Sequence, residues 1–502
     1  MIRVIRAVRN TSCALLTGAG VVFSTTAHAE TVAVGPATVH IGDGTIMDDA
    51  VVLVSGDKIV GVVPAAEAPS DAERVGPAEG EEDWVITPGL IDANAKLERL
   101  DAFAVAREAQ LSLVTRMVRE MHDPRHLMCT CAGQALCAFA SRHDSFAAQD
   151  AVCPLCGAPG PAPAEQFAPG LVSVQTPVES SSEVVPHTRV LDSVNLLSPD
   201  FDRLISGGVT TVFAAPDPSA VIGPTGAIIR TGGSLRDRVI QAEAGPTAVV
   251  GSGPYAYGPN NFDPIQGFVN NRTRRPGTRM GVIWVLRKAL NDAGILASGG
   301  TPSGADTAPE PALRVLWDLL DSGTPIRLTA ETGFDIESGL NAFAEFDAKP
   351  VVVGAAEAFQ VIDSIVASEA PVVFGPIEVD PTGLRASAAM GFGGFGGMER
   401  RLDTFNTLLE NGITTALSAQ DLREENGLAR QAMYAVRNGA EPADAIRAVT
   451  LTPAELLGID DETGSITAGK RADLVLWSGD PLSGPARAEV VWIGGEPTLD
   501  RR

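Results

Sequence analysis

The feature that most constrains this chain is a series of short, mainly apolar runs separated by helical stretches through its middle. GVTTVFAAP, TAVVGS, PIRLTAET, KPVVVGAAEA, APVVFGP and GITTALSAQD each lack the polar alternation of a one-sided strand. Between them, PALRVLWDLLDSG and IESGLNAFAEFDA carry the 3.6-residue periodicity of helices. Strands buried on both faces and alternating with helices imply a parallel sheet, either doubly wound or closed into a barrel. At 502 residues the chain is too long for one ordinary core, and a (β/α)8 barrel with a small companion domain accounts for the length.

The two ends follow a different rule. From Thr31 to Trp84, β-rich runs alternate with Gly and Asp turns, as in successive hairpins. Near the other end, GSITAGKRADLVLWSGDPL and AEVVWIGGEPTLD again read as strands. The expectation is a composite β-sandwich of residues 30–87 and 465–502 around a barrel of residues 88–464. Two stretches interrupt the barrel pattern. One is a Cys/His-rich insertion at about 120–182, Pro/Gly/Ala-rich in its later part, and the other is the glycine-rich Gly391–Gly397. The latter has no strand before it and no Lys-Ser after it, so it is a loop or flap and not a phosphate loop.

Residues 1–29 read as an export signal: Arg3, Arg6 and Arg9, an apolar run, then the small-x-small site Ala27-His28-Ala29. Cys13 precedes most of the apolar run and does not fit a lipoprotein site. No later segment offers the roughly 20 uninterrupted apolar residues of a membrane span. A periplasmic or extracellular location is therefore expected. The net charge of −24, made more negative by loss of the signal arginines, argues against nucleic acid and anionic lipid as partners.

ITPGLIDANAKL, Ile86 to Leu97, closely resembles the first barrel strand of the amidohydrolase superfamily, usually PGLID-A-H-x-H. GGVTTV at Gly207–Val212 and AVTLTPAELLGIDDETGSITAGKRADLVLW at Ala448–Trp477 extend the resemblance in the right order, nearest to imidazolonepropionase-like members. It implies a hydrolase of carbon–nitrogen bonds. In such enzymes a divalent metal held by imidazoles and carboxylates at strand ends lowers the pKa of bound water. Here the implied ligand positions fall on Asn94, Lys96, Thr329, Glu331, Gly354 and Gln420, with Asp421 one residue beyond the expected aspartate. All six histidines lie at or before His187. The resemblance thus implies a degenerate site with no metal in the barrel, a pseudoenzyme kept for binding a small molecule, an amidohydrolase paralogue or a second copy of itself.

Two alternatives stay open. A metal-free or non-standard hydrolase would use Glu331 or Asp421 to activate water and Lys96 to polarise a carbonyl, with Glu357 nearby. Against it stands a merely solvated, ion-paired barrel mouth. The second alternative makes the insertion the working part and the barrel its carrier. Its H-x3-H, C-x-C and C-x2-C spacings, with Cys129, Cys131, Cys153 and Cys156, would suit a structural zinc, whereas an oxidising compartment favours disulfides. His40 and His187 stand alone in sequence, and each reads as structural or surface histidine.

Overall fold

The structure is a computed structural model. It describes residues 31–76, 84–97, 182–256, 262–263, 267–268, 276–304, 306–377, 399–420, 427–484 and 486–502. The signal, Gly391–Gly397, Asp421 and the Cys/His insertion up to residue 181, with Cys129, Cys131, Cys153 and Cys156, lie outside the described residues.

The N-terminal strands are β1 (Thr31–His40), β2 (Ile46–Ser55), β3 (Lys58–Pro64), β4 (Glu73–Val75) and β5 (Val85–Pro88). β1, β2 and β3 form an antiparallel meander, the β2–β3 loop being Gly56-Asp57 with Gly56 at φ +59°. β6 (Leu90–Ala95) and β7 (Val209–Ala214) pair in parallel. β8 (Ile222–Thr225), β9 (Ala227–Arg230), β10 (Val239–Gln241) and β11 (Pro246–Val249) follow, then the two-residue strands β12 (Phe262–Asp263) and β13 (Gly267–Phe268). β14 (Ile326–Ala330), β15 (Pro350–Gly354), β16 (Val372–Phe374) and β17 (Thr415–Leu417) continue the parallel regime. The chain closes with β18 (Leu474–Trp477), β19 (Ala488–Ile493) and β20 (Glu496–Asp500).

Both ends share one eight-stranded sheet, in the order β20-β19-β18-β5-β1-β2-β3 with β4 beside β1. The link is β5, parallel to β1 on one side and antiparallel to β18 on the other. The Trp477 indole N–H donates to Thr87 Oγ1 at 2.9 Å across this seam. Its ring also lies 2.8 Å from where Gly208 would carry a Cβ, so the glycine before β7 lets the sheet pack against the central region.

The central strands form a four-stranded sheet, β10-β9-β7-β6, and a six-stranded one, β17-β16-β15-β14-β11-β8. Lys96 N donates to Gln420 O at 3.3 Å between the edge strands β6 and β17, and at the other side β8 runs on into β9 through Gly226. The stretch GPTGAIIRTGG is therefore divided between two strands in two sheets. A Cβ at Gly226 would strike the Phe213 ring, so the chain bends where only glycine fits.

The helices are α1 (Pro199–Ser206), α2 (Gly253–Ala256), α3 (Arg279–Ala297), α4 (Glu310–Ser322), α5 (Gly333–Ala344), α6 (Ile362–Ala367), α7 (Thr404–Glu410), α8 (Leu428–Arg437), α9 (Pro442–Arg447) and α10 (Leu451–Leu457). α5 begins three residues before its apolar pattern does, because the Thr332 hydroxyl accepts Asp335 N at 3.2 Å and caps it. Val352, Val372 and Leu417 join the large core shared with the helices, while their neighbours Val351, Val353, Val373 and Ala416 meet Ala93 in a separate inner cluster. That alternation buries both faces of the strands and explains why the sequence shows continuous apolar runs.

Candidate active site

The strand ends of β6, β14, β15 and β17 bring the expected positions together. Asp92, 2% exposed, anchors them: Oδ1 accepts Asn94 N at 2.9 Å and Ser418 Oγ at 2.7 Å, and Oδ2 accepts Ala419 N at 3.0 Å. Burial pushes the Asp92 carboxyl above its ordinary pKa, against the pull of these hydrogen bonds. Sequence reasoning counted Asp92 only as a motif match. Its visible role is to hold the end of β6 against the segment that follows β17.

Asn94 is buried and Lys96 is half-buried. Gln420 sits at φ +51°, and its side-chain Nε2 donates to Gly375 O at 2.7 Å. The residue at the place of the family's aspartate is thus committed to a backbone carbonyl.

Arg327 and Thr329 on β14, and Glu331 just past its end, follow at the two-residue spacing that puts side chains on one strand face. Gly354, where a histidine was expected, lies at φ +91°. A Cβ there would lie 2.5 Å from Glu331 Oε1 and 2.8 Å from its Cδ. The Glu331 carboxylate therefore occupies the space of a side chain from β15. Glu357, 8% exposed, accepts Gly333 N at 3.0 Å and Glu399 N at 2.6 Å. Glu357 is consequently a cap on the start of α5, and its two carboxylate oxygens are both engaged.

Arg327 was missed in sequence. It is 5% exposed, its guanidinium lies 4.0 Å from the Phe213 ring centroid, and Nη2 donates to Ala93 O. Burial pulls its pKa down to about 9, opposed by the Asp92 charge. Of the two described histidines, His40 is 7% exposed in the terminal sheet and His187 is exposed, so both lie away from this cluster.

Comparisons with known proteins bear on this frame. An amidohydrolase from Thermotoga maritima MSB8 superposes with a TM-score of 0.66 at 22% identity, covering 94% of this chain and all of that one, 100%. The Amidohydrolase family profile matches residues 402–498. An amidohydrolase of Hapsidospora irregularis is 24% identical over 356 residues, 66% of this chain and 35% of that protein. Residues 402–498 thus resemble the amidohydrolase family in sequence, and the chain as a whole resembles an amidohydrolase in fold.

The chain has the TIM-barrel-like α/β fold of these structural neighbours. It spans about a third of the length of that curated relative, 35%. A molinate hydrolase structure shares the fold at a TM-score of 0.50 and 16% identity, covering 94% of this chain and 95% of that one. The superfamily's metal can be tested against these residues. Asn94 and Gln420 present amides, Lys96 a cation, Thr329 a hydroxyl, and Gly354 nothing, which leaves Glu331 as the one carboxylate at these positions. Among the described residues no group of three or more His, Cys, Asp and Glu is placed to hold a metal ion. The described residues do not fit a mononuclear or binuclear centre.

Proposed function

We propose that this protein is a catalytically degenerate member of the amidohydrolase superfamily, retained for binding a small molecule or an associated chain. The observation that carries this reading is the pairing of Glu331 with Gly354. A missing histidine alone would leave room for a water or another ligand. Here the neighbouring strand's carboxylate lies where the lost side chain would begin, so the position has been repacked. Gln420, bonded to Gly375 O, supports the same view from the opposite strand.

In this reading the two central sheets are arcs of one (β/α)8 barrel over residues 88–464, and the composite terminal sheet, residues 30–87 with 465–502, folds over itself as a sandwich. Residues 1–29 direct export to the periplasm or beyond. The insertion at about 120–182 carries disulfides or a structural zinc on Cys129, Cys131, Cys153 and Cys156. The associated chain is an amidohydrolase paralogue or a second copy. Among the described residues no helix is long and apolar enough to cross a membrane.

Elemental analysis of the purified protein beside a deletion of His122 to Cys156 tests the proposal. Metal should be absent from both, or present only with the insertion. A stoichiometric metal that survives the deletion would place a centre in the barrel and overturn the reading.

A further inference from the structure

Three buried polar atoms of the central strands have no hydrogen-bond partner among the described residues: Arg327 Nε, Thr247 Oγ1 and Thr211 Oγ1. All three residues are buried, at 5%, 5% and 0% exposure. Such atoms cost free energy unless something polar meets them, and native interiors leave few of them unmet.

Their placement is not scattered. Thr247 on β11 and Arg327 on β14 are direct register partners, and the same row continues to Val351 of the inner cluster on β15. Partners on adjacent strands lie about 4.8 Å apart with side chains on the same face, so Thr247 Oγ1 and Arg327 Nε share one side of the sheet. The guanidinium then reaches across to Ala93 O on β6, over Phe213 on β7. Thr211 lies two residues before Phe213 on that strand, hence on the same strand face.

The set can present donors together: a guanidinium N–H is an obligate donor, and each hydroxyl, though also able to accept, has a proton to give. No carboxylate lies within salt-bridge distance of Arg327 among the described residues. The one that bears on it electrostatically, Asp92, spends its oxygens on Asn94 N, Ser418 Oγ and Ala419 N. A cation this buried with no carboxylate in direct contact among the described residues is a costly arrangement, and a small anion beside it would be stabilising.

We propose that the inner face of the barrel binds one small inorganic anion of the halide class, held by Arg327 Nε and Thr247 Oγ1 with Thr211 Oγ1 as a further donor. The site is independent of whether the strand-end residues catalyse anything. It inverts the charge logic of the superfamily's centre: the positive charge is a side chain, and the bound ion is the negative partner. Burial alone weakens the protonated guanidinium, and a resident anion restores it.

Bromide tests this in the intact chain. Crystals grown with bromide in place of chloride should show an anomalous peak within hydrogen-bond reach of Arg327 Nε and Thr247 Oγ1, and crystals of Thr247→Val should lose it. Thr247→Val is close in volume and keeps the strand pattern. In solution, melting temperature should rise with potassium chloride above a potassium gluconate control of equal ionic strength. The apparent chloride constant should weaken about tenfold or more in Thr247→Val, the effect of losing one hydrogen bond to a charged group. A map with an ordered water and no anomalous signal there, or melting curves that do not distinguish chloride from gluconate, would overturn the proposal.

Discussion

Ser418 Oγ donates to Asp92 Oδ1 at 2.7 Å, joining positions 326 residues apart in the chain. Together with Ala419 N on Oδ2, it fastens the segment after β17 to β6 through a carboxylate that has almost no contact with water. Asp92→Asn should therefore cost about 2–3 kcal/mol in denaturant unfolding, since an amide nitrogen replaces an acceptor facing a buried donor. The pH dependence has a definite sign. A carboxyl whose folded pKa is raised is penalised while ionised, so Asp92's contribution to stability improves as pH falls from that raised value toward 3.8. Asp92→Asn should lose this improvement, and a variant that keeps it would refute the assignment.

Restoring the superfamily histidine should be harmful. Gly354→His and Gly354→Ala both force a side chain onto φ +91° and against Glu331, at a cost of about 1–3 kcal/mol from the backbone alone. Adding Glu331→Ala to Gly354→Ala should recover the collision and leave the backbone cost. A double-mutant cycle by urea unfolding reads the two parts separately, and strict additivity would mean that the carboxylate does not fill that space.

His40 offers an acid-side prediction. Burial lowers its pKa, with Asp480 and Asp48 pulling the other way, so the unfolded chain takes up the proton first. Stability should then fall as pH drops from about 6.5 to the lower folded value and level off below it. In His40→Gln that increment should vanish from melting temperatures recorded between pH 7.5 and 5.5; an unchanged slope would assign the loss to other groups.

Hydrolysis is the remaining check on degeneracy. Purified protein should show no turnover of dipeptides, hydantoins or lactams beyond a heat-denatured control. Turnover abolished by Glu331→Gln or Asp421→Asn would establish a non-standard hydrolase with Lys96 as the candidate electrophile.

Much of the frame is legible in the sequence because it rests on local physics. Apolar runs such as KPVVVG mark strands buried on both faces, and β15 is found at Pro350–Gly354. The hairpins of Thr31–Pro64 follow from alternation and turn residues. That both ends contribute strands to one sheet accords with both being β-rich, although the particular pairing of β5 with β18 is not visible in the sequence. Arg327 was illegible for the converse reason. PIRLTAET reads as a buried strand, but nothing in it shows what its lone arginine meets: Phe213 and Ala93, over 100 residues away in the chain. The occupation of Gly354's space by Glu331 was equally hidden. The sequence shows that a histidine is missing, and only packing shows what stands there.

The central position of β5 has a consequence for synthesis. β1 reaches it early, while β18 reaches it last, and the Thr87–Trp477 bond spans 390 residues. A chain made from its first residue onward therefore carries an N-terminal ribbon whose β5 edge stays unpaired until its final stretch emerges. An unpaired edge readily recruits strands from other molecules. Ribosomal truncation anywhere before Leu474 should accordingly yield insoluble material, and a separately supplied peptide spanning β18 to β20 should rescue solubility by covering that edge.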